Sequence, residues 1–267
     1  TKATLYAIWK DTTPPVIGTL TFAPSGSTQG DVILTGKATD LGSGISYYQF
    51  STNGNLTASS SGWISITNTT NEITQTYTVV NNGTYYFYAK DAAGNINKKA
   101  VVISNIRYVA QIGTVKYRTL REAIAAVKTD ETILMIGDTT ENNTVPEDKK
   151  FTLDLGEQTI TGGIVNNGEM IIKGNGCIIK NEAGNVLENN GILTVESGTY
   201  LKSSNDDEED GRNFVNNGTA TINGGTFIAT VDAFTVENLG TLYFNNGIIS
   251  LDYEGIGTAL YNTSGTM

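Results

Sequence analysis

Between Val16 and Asn105 apolar and polar residues alternate in short runs bounded by turn-forming residues: Thr19 to Phe22, Val32 to Ala38, Ile45 to Ser51, Trp63 to Ile66, Ile73 to Val79, Thr84 to Lys90 and Ala100 to Ile103. Alternation with a period of two puts one set of side chains on each face of an extended strand. Seven such runs predict seven short strands packed as a β-sandwich. The segments Asp40-Leu41-Gly42-Ser43-Gly44 and Asp91-Ala92-Ala93-Gly94-Asn95 punctuate them. Their Asp side chains can accept hydrogen bonds from the backbone just downstream, and their glycines accept positive φ.

After Val109 the pattern changes. Thr119-Leu120-Arg121-Glu122 has the spacing of a capping box, and Leu120, Ala123, Ile124 and Val127 share one face, which predicts a helix over 120–127. Asn166-Asn167-Gly168, Asn189-Asn190-Gly191, Asn216-Asn217-Gly218, Asn238-Leu239-Gly240 and Asn262-Thr263-Ser264 then recur at spacings of 23, 27, 22 and 24. Each of the first four precedes an alternating run: Glu169 to Lys173, Ile192 to Glu196, Thr219 to Asn223 and Thr241 to Asn245. A period in the low twenties with several strands per unit predicts a solenoid of parallel coils stacked about 4.8 Å apart. Val165, Leu187, Val215, Val236 and Leu260, each one to three residues before the repeated Asn, are expected to stack inward. The recurring Asn are expected to build turns and to hydrogen-bond from coil to coil.

Composition narrows the chemistry. The 267 residues carry 30 Gly and only 4 Pro, net charge is −10, and 17 Lys plus Arg stand against 27 Asp plus Glu. No basic stripe is available for a phosphate backbone, so nucleic acid is not an expected partner. No apolar run approaches the roughly 20 residues of a membrane helix, so membrane insertion by this segment is not expected either. Histidine is absent, which removes the side chain most used for proton transfer near neutral pH and the commonest metal ligand. The one cysteine, Cys177, lies in the run Cys177-Ile178-Ile179 and reads as a small buried hydrophobe.

Three stretches carry resemblances. Thr4 to Lys10, TLYAIWK, is similar to the last strand of small repeats in multidomain Gram-positive surface proteins. DTTPP, ATDLGSGI and YAKDAAGN, in this order, resemble bacterial immunoglobulin-like modules. The stretch from Val109 to Gly163, VAQIGTVKYRTLREAIAAVKTDETILMIGDTTENNTVPEDKKFTLDLGEQTITGG, resembles the opening cassette of right-handed parallel β-helix domains of the pectin-lyase-like kind in Firmicutes surface proteins. The expected architecture is all-β. Residues 1–13 would end a preceding repeat and form a linker, 14–105 an Ig-like β-sandwich, and 106–267 a right-handed parallel β-helix with a short N-terminal capping helix. Further coils and further domains of the same polypeptide are expected beyond the sequence given.

Two groups of residues stand out as candidate sites. Asp206, Asp207, Glu208, Glu209 and Asp210 form an acidic run in the longest repeat, where flexible oxygen ligands suit Ca²⁺, although consecutive carboxylates also suit a solvated loop tip. Asp40 and Asp91, with Asn95, raise the same question, with turn-building the favoured role. Tyr47, Tyr48, Trp63 and the run Tyr85 to Tyr88 could line a sugar platform, with core or cross-strand packing expected for most of them; Trp63, beside Ser59-Ser60-Ser61-Gly62, is the one expected to be exposed and to contact a glycan.

The resemblances imply an extracellular, cell-wall-associated protein whose segment here acts as spacer and adhesive module for a host or glycan surface. The rival reading is a polysaccharide-active β-helix lyase or hydrolase whose site would lie in coils beyond the sequence given, because β-helices include such enzymes. Those need a basic proton acceptor beside calcium-binding carboxylates, or paired aspartates. Between Glu157 and Met267 the only basic side chains are Lys173, Lys180, Lys202 and Arg212, so no catalytic residue is expected. A calcium-stiffened spacer is the third reading.

Overall fold

The computed structural model describes residues 10–180, 183–203, 211–230, 234–252, 258–262 and 266. The chain divides into two compact units, Thr1–Arg107 and Tyr108–Met267. Ile106 and Arg107 stay with the first unit through backbone bonds. The Ile106 N–H donates to Asn82 Oδ1 at 3.0 Å, and the Arg107 N–H donates to Thr28 O at 2.7 Å.

The first unit contains the seven expected strands: β1 (Val16–Ala23), β2 (Val32–Thr39), β3 (Ile45–Ser51), β4 (Ile64–Thr70), β5 (Glu72–Val79), β6 (Gly83–Asp91) and β7 (Ile96–Ile103). They form two antiparallel sheets, β1-β2-β5 and β4-β3-β6-β7. Alternation sets the inward faces: Val32, Leu34 and Ala38 of β2 are buried, and so are Phe87 and Ala89 of β6. Side chains of both sheets share one core, in which Ala38, Ile45, Ile73, Phe87 and Ala89 pack with Ile17, Leu20, Tyr48, Phe50 and Ile66. Phe50 links the sheets directly, 4.8 Å from Phe87 and stacked at 5.4 Å on Tyr77. Gly36 must lack a side chain, since a Cβ there would lie 2.5 Å from the Phe87 ring.

In the second unit a hairpin of β8 (Ala110–Ile112) and β9 (Val115–Tyr117) precedes helix α1 (Leu120–Ala126) and β10 (Glu131–Met135). The capping box is present: the Glu122 N–H donates to Thr119 Oγ1 at 3.1 Å, and the Thr119 N–H donates to Glu122 Oε2 at 3.3 Å. Leu120, Ala123, Ile124 and Val127 are buried against the core of the coils. A parallel β-solenoid follows, made of three sheets of six to eight strands; the largest adds the β8–β9 hairpin at one edge. Three inward columns run through it in strict register. Phe151, Met170, Leu193, Ala220 and Leu242 line the first face, and Ile160, Ile178, Tyr200, Phe227 and Ile249 the second. Ile164, Leu187, Phe214, Val236 and Leu260 line the third. Tyr200 and Phe227 stack at 4.6 Å in the interior.

The register corrects two expectations. Val165 and Val215 occupy the outward column with Glu188, Glu237 and Tyr261, and the inward residues of those coils are Ile164 and Phe214. The reason is the strand period: with the repeated Asn facing inward, only the residue two positions earlier shares its face. Cys177 likewise faces out, because Ile178 and Lys180 of the same strand face in. Its Sγ lies 3.6 Å from Thr159 Oγ1 on the neighbouring coil.

Candidate functional site

The turn after β2 and the turn after β6 each close on an aspartate. Asp40 Oδ1 accepts the Gly44 N–H at 2.7 Å, with Gly44 at φ +77°. Asp91 accepts from Asn95 twice, from the N–H at 2.7 Å and from Nδ2 at 2.8 Å. The strand ends bring these turns together, and the Ala92 N–H donates to Gly44 O at 2.9 Å.

A third carboxylate joins them from residue 11. Asp11 Oδ2 accepts the N–H and the hydroxyl of Ser43, both at 2.8 Å, and Asp11 Oδ1 accepts the Thr13 N–H at 2.9 Å. Asn95 Nδ2 donates to Asp11 O at 3.2 Å, so both turns hold the segment. One oxygen from each of Asp11, Asp40 and Asp91 lies within 4.8 Å of the other two. Asp40 is 5% and Asp91 1% exposed. Among the described residues none of the three forms an ion pair. The hydrogen bonds from the Thr13 N–H and from the Ser43 hydroxyl and N–H hold the Asp11 carboxyl below the usual carboxylate range.

This arrangement could hold a hard cation. Two oxygens at about 2.4 Å on opposite sides of a Ca²⁺ are about 4.8 Å apart, so three carboxylates inside that span can share one ion. A bound cation would also compensate the carboxylates of Asp40 and Asp91, which are withdrawn from water. The expected pair Asp40 and Asp91 is thus brought together, with Asn95 holding Asp91 and the Asp11 backbone. Asp11 was missed by sequence reasoning, which placed it in a linker; its signal was the Asp that opens DTTPP.

Trp63 is half-buried rather than freely exposed. Its Nε1 donates to Thr57 O at 3.2 Å, its ring meets Tyr88 edge-on at 6.2 Å, and Lys90 Nζ lies 4.6 Å from its centre. Lys90 also lies 4.1 Å from the ring of Tyr47. Tyr85 and Phe87 are buried, and Tyr88 is covered as well. The acidic run Asp206, Asp207, Glu208, Glu209 and Asp210 lies outside the described residues.

The repeated amides of the solenoid form ladders. Asn166, Asn189, Asn216, Asn238 and Asn262 are linked Nδ2 to Oδ1 at 2.8 Å on every step. A second ladder joins Asn167, Asn190 and Asn217. The basic side chains of the coils are engaged too. Lys173 pairs with Asp154, Arg212 pairs with Glu237, Lys180 donates to Asn142 Oδ1 at 3.0 Å, and Lys202 is fully buried.

A family model described as a domain of unknown function, DUF7743, matches residues 9–120, less than half of the chain. The match takes in Asp11, Asp40 and Asp91 and ends at the first residue of α1. No curated protein and no solved structure matches the chain.

Proposed function

We propose that the chain is a non-catalytic segment of a Gram-positive cell-surface protein, in which an Ig-like module and a right-handed parallel β-helix act as spacer and as a contact surface for glycans. The observation that carries this reading is the ladder from Asn166 to Asn262. The residues that repeat along the coils hold one coil to the next, as a stiff spacer requires. The order β1-β2-β5 and β4-β3-β6-β7 around a shared core suits an Ig-like module. A screen of the chain against immobilised mucins and plant and bacterial glycans, with parallel assays for released sugars, tests it. Retention without product supports the reading, and release of cleaved product overturns it.

A second reading, favoured by Asp11, Asp40 and Asp91, makes the first unit a calcium-stiffened spacer. Calcium would tie the segment around Asp11 to the two turns and fix the direction in which the chain enters the unit. Melting with and without Ca²⁺ tests it, as argued in the Discussion.

A further inference from the structure

The outer face of the sheet β4-β3-β6-β7 is crossed by the loop of residues 52–63. Tyr88 anchors that loop: its hydroxyl donates to Asn53 O at 2.9 Å and accepts the Leu56 N–H at 3.4 Å. Two lysines latch it further. Lys90 Nζ donates to Ala58 O at 3.1 Å, and Lys98 Nζ donates to Gly54 O. Between the loop and β7 lies a cleft of about 400 Å³ whose lining includes Gly54, Asn55, Leu56, Tyr88, Ile96 and Lys98. That volume is at the small end of ligand pockets, which run from about 300 to 1,000 Å³.

The charges around the cleft are unbalanced. Lys98 Nζ lies 5.3 Å and 5.8 Å from the ring centres of Tyr86 and Tyr88, and Lys90 lies over Tyr47 and Trp63. Neither lysine meets a carboxylate among the described residues, although the chain holds 27 acidic residues against 17 basic ones. Lys150, Lys173 and Arg212 all have acidic partners. An ammonium carries three donors, and Lys98 spends one on Gly54 O, so it can still receive an anion at the wall of the cleft. The walls contributed by Leu56 and Ile96 are apolar and suit the C–H face of a ring, and the buried Tyr88 supports the loop behind them.

We propose that this cleft binds a carboxylate-bearing sugar residue, with Lys98 holding the carboxylate and Leu56 and Ile96 receiving the apolar face of the ring. The inference rests on the glycan-contacting part of the proposed function and names the sugar class and the residues. Affinity of this kind falls as salt rises, because one of its terms is an exposed charge pair.

The test is a titration of the full chain with galacturonate, galactose and acetate, followed through the amide signals of Leu56, Tyr88 and Ile96. Galacturonate is expected to shift them, galactose to bind at least tenfold more weakly, and acetate to compete poorly. Lys98→Gln should weaken galacturonate at least tenfold and Lys98→Arg should restore most of it. Lys99→Gln should change nothing, since Lys99 Nζ donates to Gly18 O from the other face of β7. Ile96→Ser, which leaves the loop latches intact, should weaken galacturonate as well. Equal binding of galactose, equal competition by acetate, or undiminished binding in Lys98→Gln would overturn the proposal. Failure with galacturonate while other glycans are retained in the screen overturns this inference alone. Failure of every glycan overturns the contact reading with it.

Discussion

Glu141 and Leu120 form the contact that seats the helix on the coil beneath it: Glu141 Oε1 accepts the Leu120 N–H at 2.7 Å, and Oε2 accepts the Arg121 N–H at 3.3 Å. The Thr139 hydroxyl orients the same carboxylate at 2.8 Å. At the other end Lys149 Nζ donates to Ala125 O and Val127 O at 2.9 and 3.0 Å. A carboxylate thus meets the positive end of α1 and an ammonium its negative end, which is the favourable sense at both termini. Two side chains from one coil hold a helix too short to be stable alone.

Glu141→Gln is therefore expected to cost about 1 kcal/mol, because it removes a charge from a first helical turn and weakens two backbone caps. Urea unfolding beside the exposed control Glu147→Gln measures it. Equal stability of the two variants would show that the carboxylate does not hold the helix.

The inner Asn ladder predicts an order of costs. Asn166 Oδ1 is buried without a partner, because the residue above it in register is Val145. Asn166→Val removes that orphaned acceptor along with the donors to Asn189 Oδ1, Gly168 O and Ile192 O. Asn216→Val breaks the ladder in its middle, taking the acceptor from Asn189 and the donor from Asn238. With about 1–3 kcal/mol for each buried group left unsatisfied, Asn216→Val should be the more destabilising of the two by that amount. Denaturant melts of both variants decide it, and the reverse order would mean that the ladder adds no coupling between coils.

Much of this was legible along the chain, because strand alternation, the capping box and the Asn repeat are local signals. All seven strands of the first unit and the helix fall where Val16 to Val127 predicted them, and the spacings 23, 27, 22 and 24 are the spacings of the bonded ladder. The direction of Val165, Val215 and Cys177 was not legible. A slip of one residue reverses a strand's faces, and apolar residues stood on both faces there. The Asp11 cluster was hidden for a different reason: its members lie as far as 80 residues apart in sequence, and only the pairing of β3 with β6 brings their turns together.

Cys177→Ser tests the corrected direction. A buried thiol replaced by a hydroxyl would cost about 1–3 kcal/mol, whereas an outward position should cost no more than about 0.5 kcal/mol. The change should also leave the Tyr200–Phe227 stack undisturbed, as near-ultraviolet circular dichroism can report. A loss in the larger range would place the thiol in the core.

Calcium should act on the first unit through the three carboxylates, and protons through one of them, Asp11. Asp11 has a folded pKa below its ordinary value of 3.8, because hydrogen bonds from Thr13 and Ser43 favour its charged form. A depressed folded value means that its contribution is present in full above about pH 4 and is lost as pH falls through the lowered value. Ser43→Ala removes one of those hydrogen bonds and should move the acid midpoint of the first unit upward. Bound calcium adds to this: at 100 times its dissociation constant an ion that binds only the folded state contributes about 2.7 kcal/mol. The first unit is therefore expected to melt later in millimolar CaCl₂ than in EDTA, with a smaller effect from Mg²⁺, which demands tighter octahedral geometry. Asp40→Asn keeps an oxygen for the Gly44 N–H while removing one charge. It should abolish the calcium response, and in EDTA it should melt no earlier than the parent, because one of three crowded anions is gone. A parent chain whose melting is the same in CaCl₂ and in EDTA would leave Asp11, Asp40 and Asp91 as turn-building residues alone.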